Sequence, residues 1–152
     1  MTYNIRKAQM SDFGVVRDIT QTTIRAVYPN YYPKGAVDFF CKHHSDERIS
    51  EDIEDGNVYI LEDGVPVGTV TVVGNEINRL FVLPTYQHKG YGRLLMGYAE
   101  QKIAENYNCV VLDASLPAKA IYLKRGYVEK GYNKIKILNG DYLCYDVMRL
   151  DL

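Results

Sequence analysis

Glu76 to Arg93, EINRLFVLPTYQHKGYGR, reads as a strand, a short loop and the start of a helix. Ile77, Leu80, Phe81, Val82 and Leu83 form an apolar run of strand length, and Pro84 ends it because proline has no N–H to give a ladder. Beyond Gln87, His88, Lys89, Gly90, Tyr91 and Gly92, the residues Leu94, Leu95, Tyr98, Ile103 and Ala104 fall largely on one helical stripe. Gly90 and Gly92 carry no Cβ, so a bulky anion can approach the main chain there. The unpaired N–H groups of a first helical turn face such an anion and the helix dipole favours it. Lys89 and Arg93 add full positive charges at the same end. The stretch is a candidate pyrophosphate cradle.

Working outward, Tyr3 to Lys7 reads as a first strand, and Ser11 and Asp12 offer an N-cap to a helix carrying Val15, Val16, Ile19, Thr22, Thr23 and Ala26. The segment from Tyr28 to Pro33, YPNYYP, breaks that helix. A shorter helix follows with Val37, Phe39 and Phe40, and His44 to Glu47 can cap a third helical piece that ends near Gly56. From Asn57 the period becomes two. Val58 to Leu61, the Asp63-Gly64 turn and Val65 to Val73 read as a hairpin, and Gly74-Asn75 turns the chain into the Glu76 strand. After the helix from about Tyr91 to Asn106 come a strand at Cys109 to Ala114 and a helix opened by Pro117 and ended before Gly126. Tyr127 to Leu138, the Asn139-Gly140 turn and Asp141 to Leu150 close the chain as a long hairpin. The sum is an α+β domain on one mixed, mostly antiparallel, seven-stranded sheet flanked by helices. With no repeat, low-complexity segment or linker, residues 1–152 are expected to be one domain.

Composition narrows the function. A hydrophobic share of 47% and a charged share of 24% are globular values. A formal charge of −1 and a pI near 6.3 argue against general nucleic-acid binding, so any basic patch must be local. Cys41, Cys109 and Cys144 are odd in number with no CxxC pair, as expected of reduced thiols. Cys41, His43 and His44 have no fourth ligand at a recognisable zinc spacing, so no metal is expected. MTYNIRKAQMSDF lacks the apolar core of a signal peptide and no stretch approaches membrane-spanning length, so the expectation is a cytoplasmic protein with no membrane partner.

Gln87-x-x-Gly90-x-Gly92 after a strand ending in Val82-x-Pro84 resembles the acetyl-CoA motif of the GCN5-related N-acetyltransferase (GNAT) superfamily. Downstream, LDASLPAKAIYLKRGYVEKGY resembles that superfamily's last helix and the strand after it, with Ala118, Ile121, Tyr122, Gly126 and Tyr127 at matching positions. The order of elements matches over nearly the whole chain, most closely from Leu80 to Tyr127. The resemblance implies a single GNAT-like domain, acetyl-CoA as acetyl donor and a primary amine of a small molecule as acceptor. It implies pantetheine against the backbone of Phe81, Val82 and Leu83, the pyrophosphate on the amides of His88, Lys89, Gly90, Tyr91, Gly92 and Arg93, and cofactor contacts at Gln87 and Ser115. Tyr122 matches the tyrosine that protonates the departing thiolate, and Glu76 stands where many members place a carboxylate base. Asn78 shares a strand face with Glu76 and is a candidate to hold a water. Tyr28, Tyr31 and Tyr32 are candidate acceptor residues, since the family's helix 1–2 region lines that pocket. Exposed strand edges of such folds often pair, which makes a homodimer an expectation.

Other readings stay open at this point. Gly90-x-Gly92 is also the first half of a dinucleotide fingerprint with Asp113 about twenty residues on, although Leu95 holds the third glycine position and too little chain follows for a second βαβ half. A GNAT domain can act on a protein lysine or N-terminus, or bind acetyl-CoA as a sensor without turnover. Tyr122 can be a packed aromatic, Glu76 a solvated strand end, and the three tyrosines can simply hold their loop down.

Overall fold

Alternating apolar residues from Val58 to Val82 produce three antiparallel strands, and the rest of the domain is laid on their two faces. In this computed structural model, which describes residues 2–137 and 140–152, the strands are β1 (Tyr3–Lys7), β2 (Val58–Asp63), β3 (Val65–Val73), β4 (Glu76–Val82), β5 (Cys109–Ala114), β6 (Val128–Lys136) and β7 (Tyr142–Asp151). They form one sheet in the order β1-β2-β3-β4-β5-β7-β6, in which β4 and β5 are parallel and all other neighbours antiparallel. The helices are α1 (Phe13–Val27), α2 (Lys34–His43), α3 (Asp46–Glu54), α4 (Tyr91–Ala104) and α5 (Lys119–Lys124). This is the α+β, mixed seven-stranded architecture that the residue pattern implies. Among the described residues no helix is long and apolar enough to cross a membrane.

The period-two pattern sorts side chains to opposite faces. Tyr59 and Leu61 of β2 join Val70, Ile77, Val110, Leu112 and Met148 under Leu95, Met96, Ala99 and Ile103 of α4. Their neighbours Val58 and Ile60 point the other way, onto Val16, Ile49 and Ile53 of α1 and α3. A third cluster sets Phe81 and Leu143 against Ile19, Ile24, Tyr28 and Val37. Each fully buried aliphatic side chain contributes roughly 1.5–3 kcal/mol by leaving water. Close approach of α4 to the sheet requires Gly68, since a Cβ there would stand 2.9 Å from Leu95 Cδ1 and 3.0 Å from the Phe81 carbonyl oxygen.

Several local expectations are corrected. Asp12 precedes α1, but its carboxylate accepts from the Gln9 N–H and both terminal nitrogens of Arg6 rather than capping the first turn. Ser45 does cap α3, accepting from the Arg48 N–H. Pro117 stands ahead of α5 instead of opening it, and α5 is only six residues long. Leu138 and Asn139 lie outside the described residues.

The largest departure from plain alternation is a bulge in β4. Thr71 pairs with Asn78 and Thr69 with Phe81, so Arg79 and Leu80 together oppose one residue of β3. Arg79 has φ +48°, a left-handed backbone that costs an L-residue about 1–2 kcal/mol. The residue is 7% exposed and its guanidinium is held by three partners: Nη1 lies 2.8 Å from the Asp52 carboxylate and 3.1 Å from Thr71 Oγ1, and Nε donates to Nδ1 of His44 at 3.3 Å. Beyond the bulge β4 leaves its parallel neighbour. Only Glu76–Val111 and Ile77–Leu112 are paired between β4 and β5.

His44 must be neutral to accept from Arg79, and burial, reinforced by Arg79, His43 and Arg48, lowers its pKa from 6.5 to about 3. The unfolded chain takes up that proton near pH 6.5, so the stabilisation is complete above 6.5 and is lost as pH falls toward 3. Between pH 7 and 4.5 the wild type should lose about 2 kcal/mol more unfolding free energy than His44→Gln. Urea denaturation at both pH values measures this, and equal losses would show that His44 is not held neutral by the fold.

Candidate active site

The parting of β4 and β5 opens a cavity of about 410 Å³ that runs through the sheet. On the α4 side it is bounded by Gln87, His88, Tyr91, Gly92, Met96, Ala118, Ile121 and Tyr122. Along its middle run Ile77 to Val82 of β4, with Asp113 and Ser115 at the end of β5. On the far side stand Tyr28, Phe39, Phe40, His43, Leu143 and Tyr145.

The loop that enters α4 is shaped for an anion. Pro84–Tyr86 forms a 3-10 turn, after which His88 (φ +63°) and Gly90 (φ +89°) are left-handed on either side of Lys89. Left-handed residues in such a turn direct successive N–H groups to one side. Gly90 is the N-cap of α4, and the Leu94 N–H is bonded to the Gly90 carbonyl, leaving earlier amides of the turn to face outward. The Tyr91 hydroxyl donates to the Asp63 carboxylate and anchors the helix start to the β2–β3 turn. Beyond the adjoining residues and the helix's own turn, no atom lies within 4 Å of a Cβ built on Gly90 or Gly92. Packing therefore does not require these glycines: Gly90 answers to its backbone angle, and the space over Gly92 is left free. Lys89 and Arg93 are exposed beside it, with Lys89 Nζ 5.6 Å from the centre of the Tyr86 ring.

The free edge of β4 carries Phe81 and Val82, and Leu83 follows. The Gln87 side-chain amide donates to the Val82 carbonyl at 3.0 Å, so Gln87 contacts the strand edge rather than solvent. Thr23 Oγ1 lies 3.4 Å from the same carbonyl and 2.7 Å from that of Ile19.

Two buried tyrosines, Tyr28 and Tyr122, line the cavity. Tyr122 is 9% exposed, and desolvation followed by the nearby Tyr28 raises its pKa well above 10, so the phenol keeps its proton at neutral pH. Burial likewise raises the pKa of Tyr28, opposed by the nearby Ser115 side chain. Tyr32 does not line this cavity; its hydroxyl donates to the Cys144 carbonyl and accepts from the Leu116 N–H. Tyr31 is 52% exposed and lies outside the wall. Glu76 also stands outside it, at the start of β4, with its pKa raised by desolvation and by Asp113. Asn78 is in the wall.

Sequence reasoning did not assign to this site Asp113, Phe39, Phe40, His43 or Tyr145. Phe39 and Phe40 are adjacent on α2 with a stacked His43 one turn on, a pattern that also describes a buried helix face. Asp113 alternates with Leu112 and Ala114 on β5, so period-two reading puts it on the face opposite α4 but does not say what it meets there.

A family model described as an acetyltransferase (GNAT) domain matches residues 27–138. Among solved structures, a GCN5-related N-acetyltransferase from Rhodopseudomonas palustris is 26% identical, with a TM-score of 0.90 over 100% of this chain and 97% of that one. The PaiA N-acetyltransferase from Thermoplasma acidophilum, in complex with coenzyme A, is 17% identical, with a TM-score of 0.75 over 100% of both chains. YncA from Salmonella typhimurium, a structure with its cofactor acetyl-CoA, is 16% identical at a TM-score of 0.74, covering 100% of this chain and 95% of that one. No curated protein matches the sequence.

The space over Gly92 gives a direct check. A Cβ at Gly92 meets nothing beyond its own helical turn, so Gly92→Val should fold, while its branched side chain would fill the space that a pyrophosphate on these amides would take. Calorimetry should show CoA affinity reduced about tenfold or more, or about 1.4 kcal/mol. Unchanged affinity would place the nucleotide elsewhere.

Proposed function

The chain belongs to the GNAT acetyltransferase family, N-acetyltransferases that use acetyl-CoA as donor, and on that premise we propose that it acetylates the primary amine of a small molecule. The observation that carries this reading is one cavity whose wall includes the α4 turn, Tyr122 and the aromatic residues of the far side. Walls from α2 on one side and β7 on another suit a small amine better than an extended peptide.

Acetyl-CoA supplies an acyl group activated as a thioester. The residues present fit it: the amides from His88 to Arg93 with Lys89 and Arg93 for the pyrophosphate, the β4 edge at Phe81, Val82 and Leu83 for the pantetheine amides, and Gln87 and Ser115 beside them. In transfer the amine nitrogen bonds to the acetyl carbon as the carbon–sulfur bond breaks, giving an amide and a free thiol. An alkylammonium near pKa 10.4 must first lose its proton, at a cost of roughly 4–5 kcal/mol at pH 7. Glu76 is assigned as base. From outside the wall it acts through water held by Asn78, and its raised pKa makes it a better proton acceptor than an ordinary glutamate. Backbone N–H near Val82 polarises the acetyl carbonyl. Tyr122, protonated at neutral pH, donates to the departing sulfur.

Tyr122→Phe keeps the ring and its contact with Tyr127, so stability and acetyl-CoA affinity should hold. What goes is a proton donor of a kind that typically contributes about 10²–10⁴-fold. Single-turnover rates should fall by about that factor with Kd unchanged. A variant that keeps more than about a third of the wild-type rate with chemistry limiting would leave the tyrosine a packing role.

Glu76→Gln should slow the reaction most at low pH, where the amine most needs a base, and progressively less as pH rises. Superimposable pH–rate profiles for variant and wild type would assign the proton to another acceptor.

A further inference from the structure

The far chamber of the cavity has a specific chemistry. Its wall is aromatic and continuous. Phe39 and His43 are stacked, with ring centres 6.0 Å apart and 9° between planes. His44 meets Phe81 edge-on, Tyr28 meets Phe40 edge-on at 4.8 Å, and Tyr145 closes the β7 side. Flat faces of this kind accept an aromatic or branched apolar body in offset or edge-on packing.

Among the described residues in that wall, Asp113 is the one carboxylate. The charges around it are otherwise settled. Arg79 is bound to Asp52, and His44 accepts from Arg79 and is neutral. His43, close enough to Asp113 to interact with it, has its pKa lowered below 6.5 by burial and by Arg48 and Arg79. At neutral pH the wall therefore carries one carboxylate charge, at the end of β5, beside the Arg79 guanidinium that Asp52 pairs, and among the described residues no ion pair forms to Asp113.

We propose, resting on the acetyl-transfer reading above, that the acceptor is a monoamine on an aromatic or apolar body, with its ammonium beside Asp113 and its body against the Tyr28–Phe40–Phe39 wall. One carboxylate neutralises one ammonium. A polycation such as a polyamine would carry further charges into apolar surface, where an unpaired charge is strongly disfavoured. An α-amino acid would bring its own carboxylate against Asp113, a like-charge contact with the same consequence. Asp113 is in this account a specificity-determining residue, distinct from the groups that move protons.

The test compares phenethylamine, phenylalanine and spermidine as acceptors for the full chain with acetyl-CoA, using thiol release, together with calorimetric binding of phenethylamine to the CoA-loaded protein. The first two acceptors share a body and differ by one carboxylate. Phenethylamine should have the highest kcat/KM of the three. Asp113→Asn, at an exposed position, should raise its KM and its calorimetric Kd by about tenfold or more, the loss expected for one charge-assisted hydrogen bond. It should leave acetyl-CoA affinity unchanged and should raise phenylalanine turnover relative to phenethylamine. A wild-type preference for phenylalanine or spermidine, or a variant with unaltered discrimination, overturns the proposal while leaving acetyl transfer in place. CoA binding with no turnover of any of the three, and none of a wider amine panel, overturns the transfer reading itself and the proposal with it.

Discussion

The structure turns on one strained residue. Arg79 sits in the middle of the central strand with a left-handed backbone, and the extra residue it introduces rotates the end of β4 away from β5. The strain and the burial of a guanidinium would both oppose this arrangement if the side chain lacked partners. Asp52 of α3, Thr71 of β3 and neutral His44, just after α2, supply them. A buried ion pair of this sort adds little to net stability, yet breaking it leaves an uncompensated charge that costs about 3–5 kcal/mol. The bulge is thus hard to flatten once the fold has formed, and its consequence is a sheet with an opening through its centre.

An opening in a sheet exposes backbone groups that would ordinarily be paired, and the chain manages this locally. Gln87 reaches back to the Val82 carbonyl, and Thr23 approaches it from α1. The apolar lining of the hole is aromatic, with Tyr28, Phe40 and Phe81 packed around its mouth on the α2 side. Two phenols, Tyr28 and Tyr122, line it with their protons held by desolvation. The α4 turn, Tyr122 and the aromatic far side therefore line one void, and the bulge lies along its middle.

Much of this was legible in the sequence, for identifiable reasons. Strand periodicity, the glycines at 90 and 92 and the proline at 84 are local signals, and they located the sheet, the α4 turn and the β4 edge. The bulge was not legible because no glycine marks it. Arginine at φ +48° is held by partners at Thr71, Asp52 and His44, and pairings over such separations leave no local trace. The same limit applies to the acceptor side. Of three tyrosines grouped by their sequence proximity, only Tyr28 faces the cavity, whereas Tyr32 is committed to Cys144 and Leu116 and Tyr31 is exposed. Asp113, read from sequence only as the acidic residue about twenty positions after a possible dinucleotide fingerprint, stands in the cavity wall where β4 has parted from β5.

The central claim is that the gap between β4 and β5 is where acetyl-CoA lies. Amide hydrogen exchange, resolved by residue with and without saturating acetyl-CoA, tests it most directly. The account predicts new protection at the β4 edge around Phe81 to Leu83 and across His88 to Arg93, with little change in β1, β2 or the β6–β7 hairpin. Protection that spares both of those segments, or that concentrates on the outer strands, would contradict it.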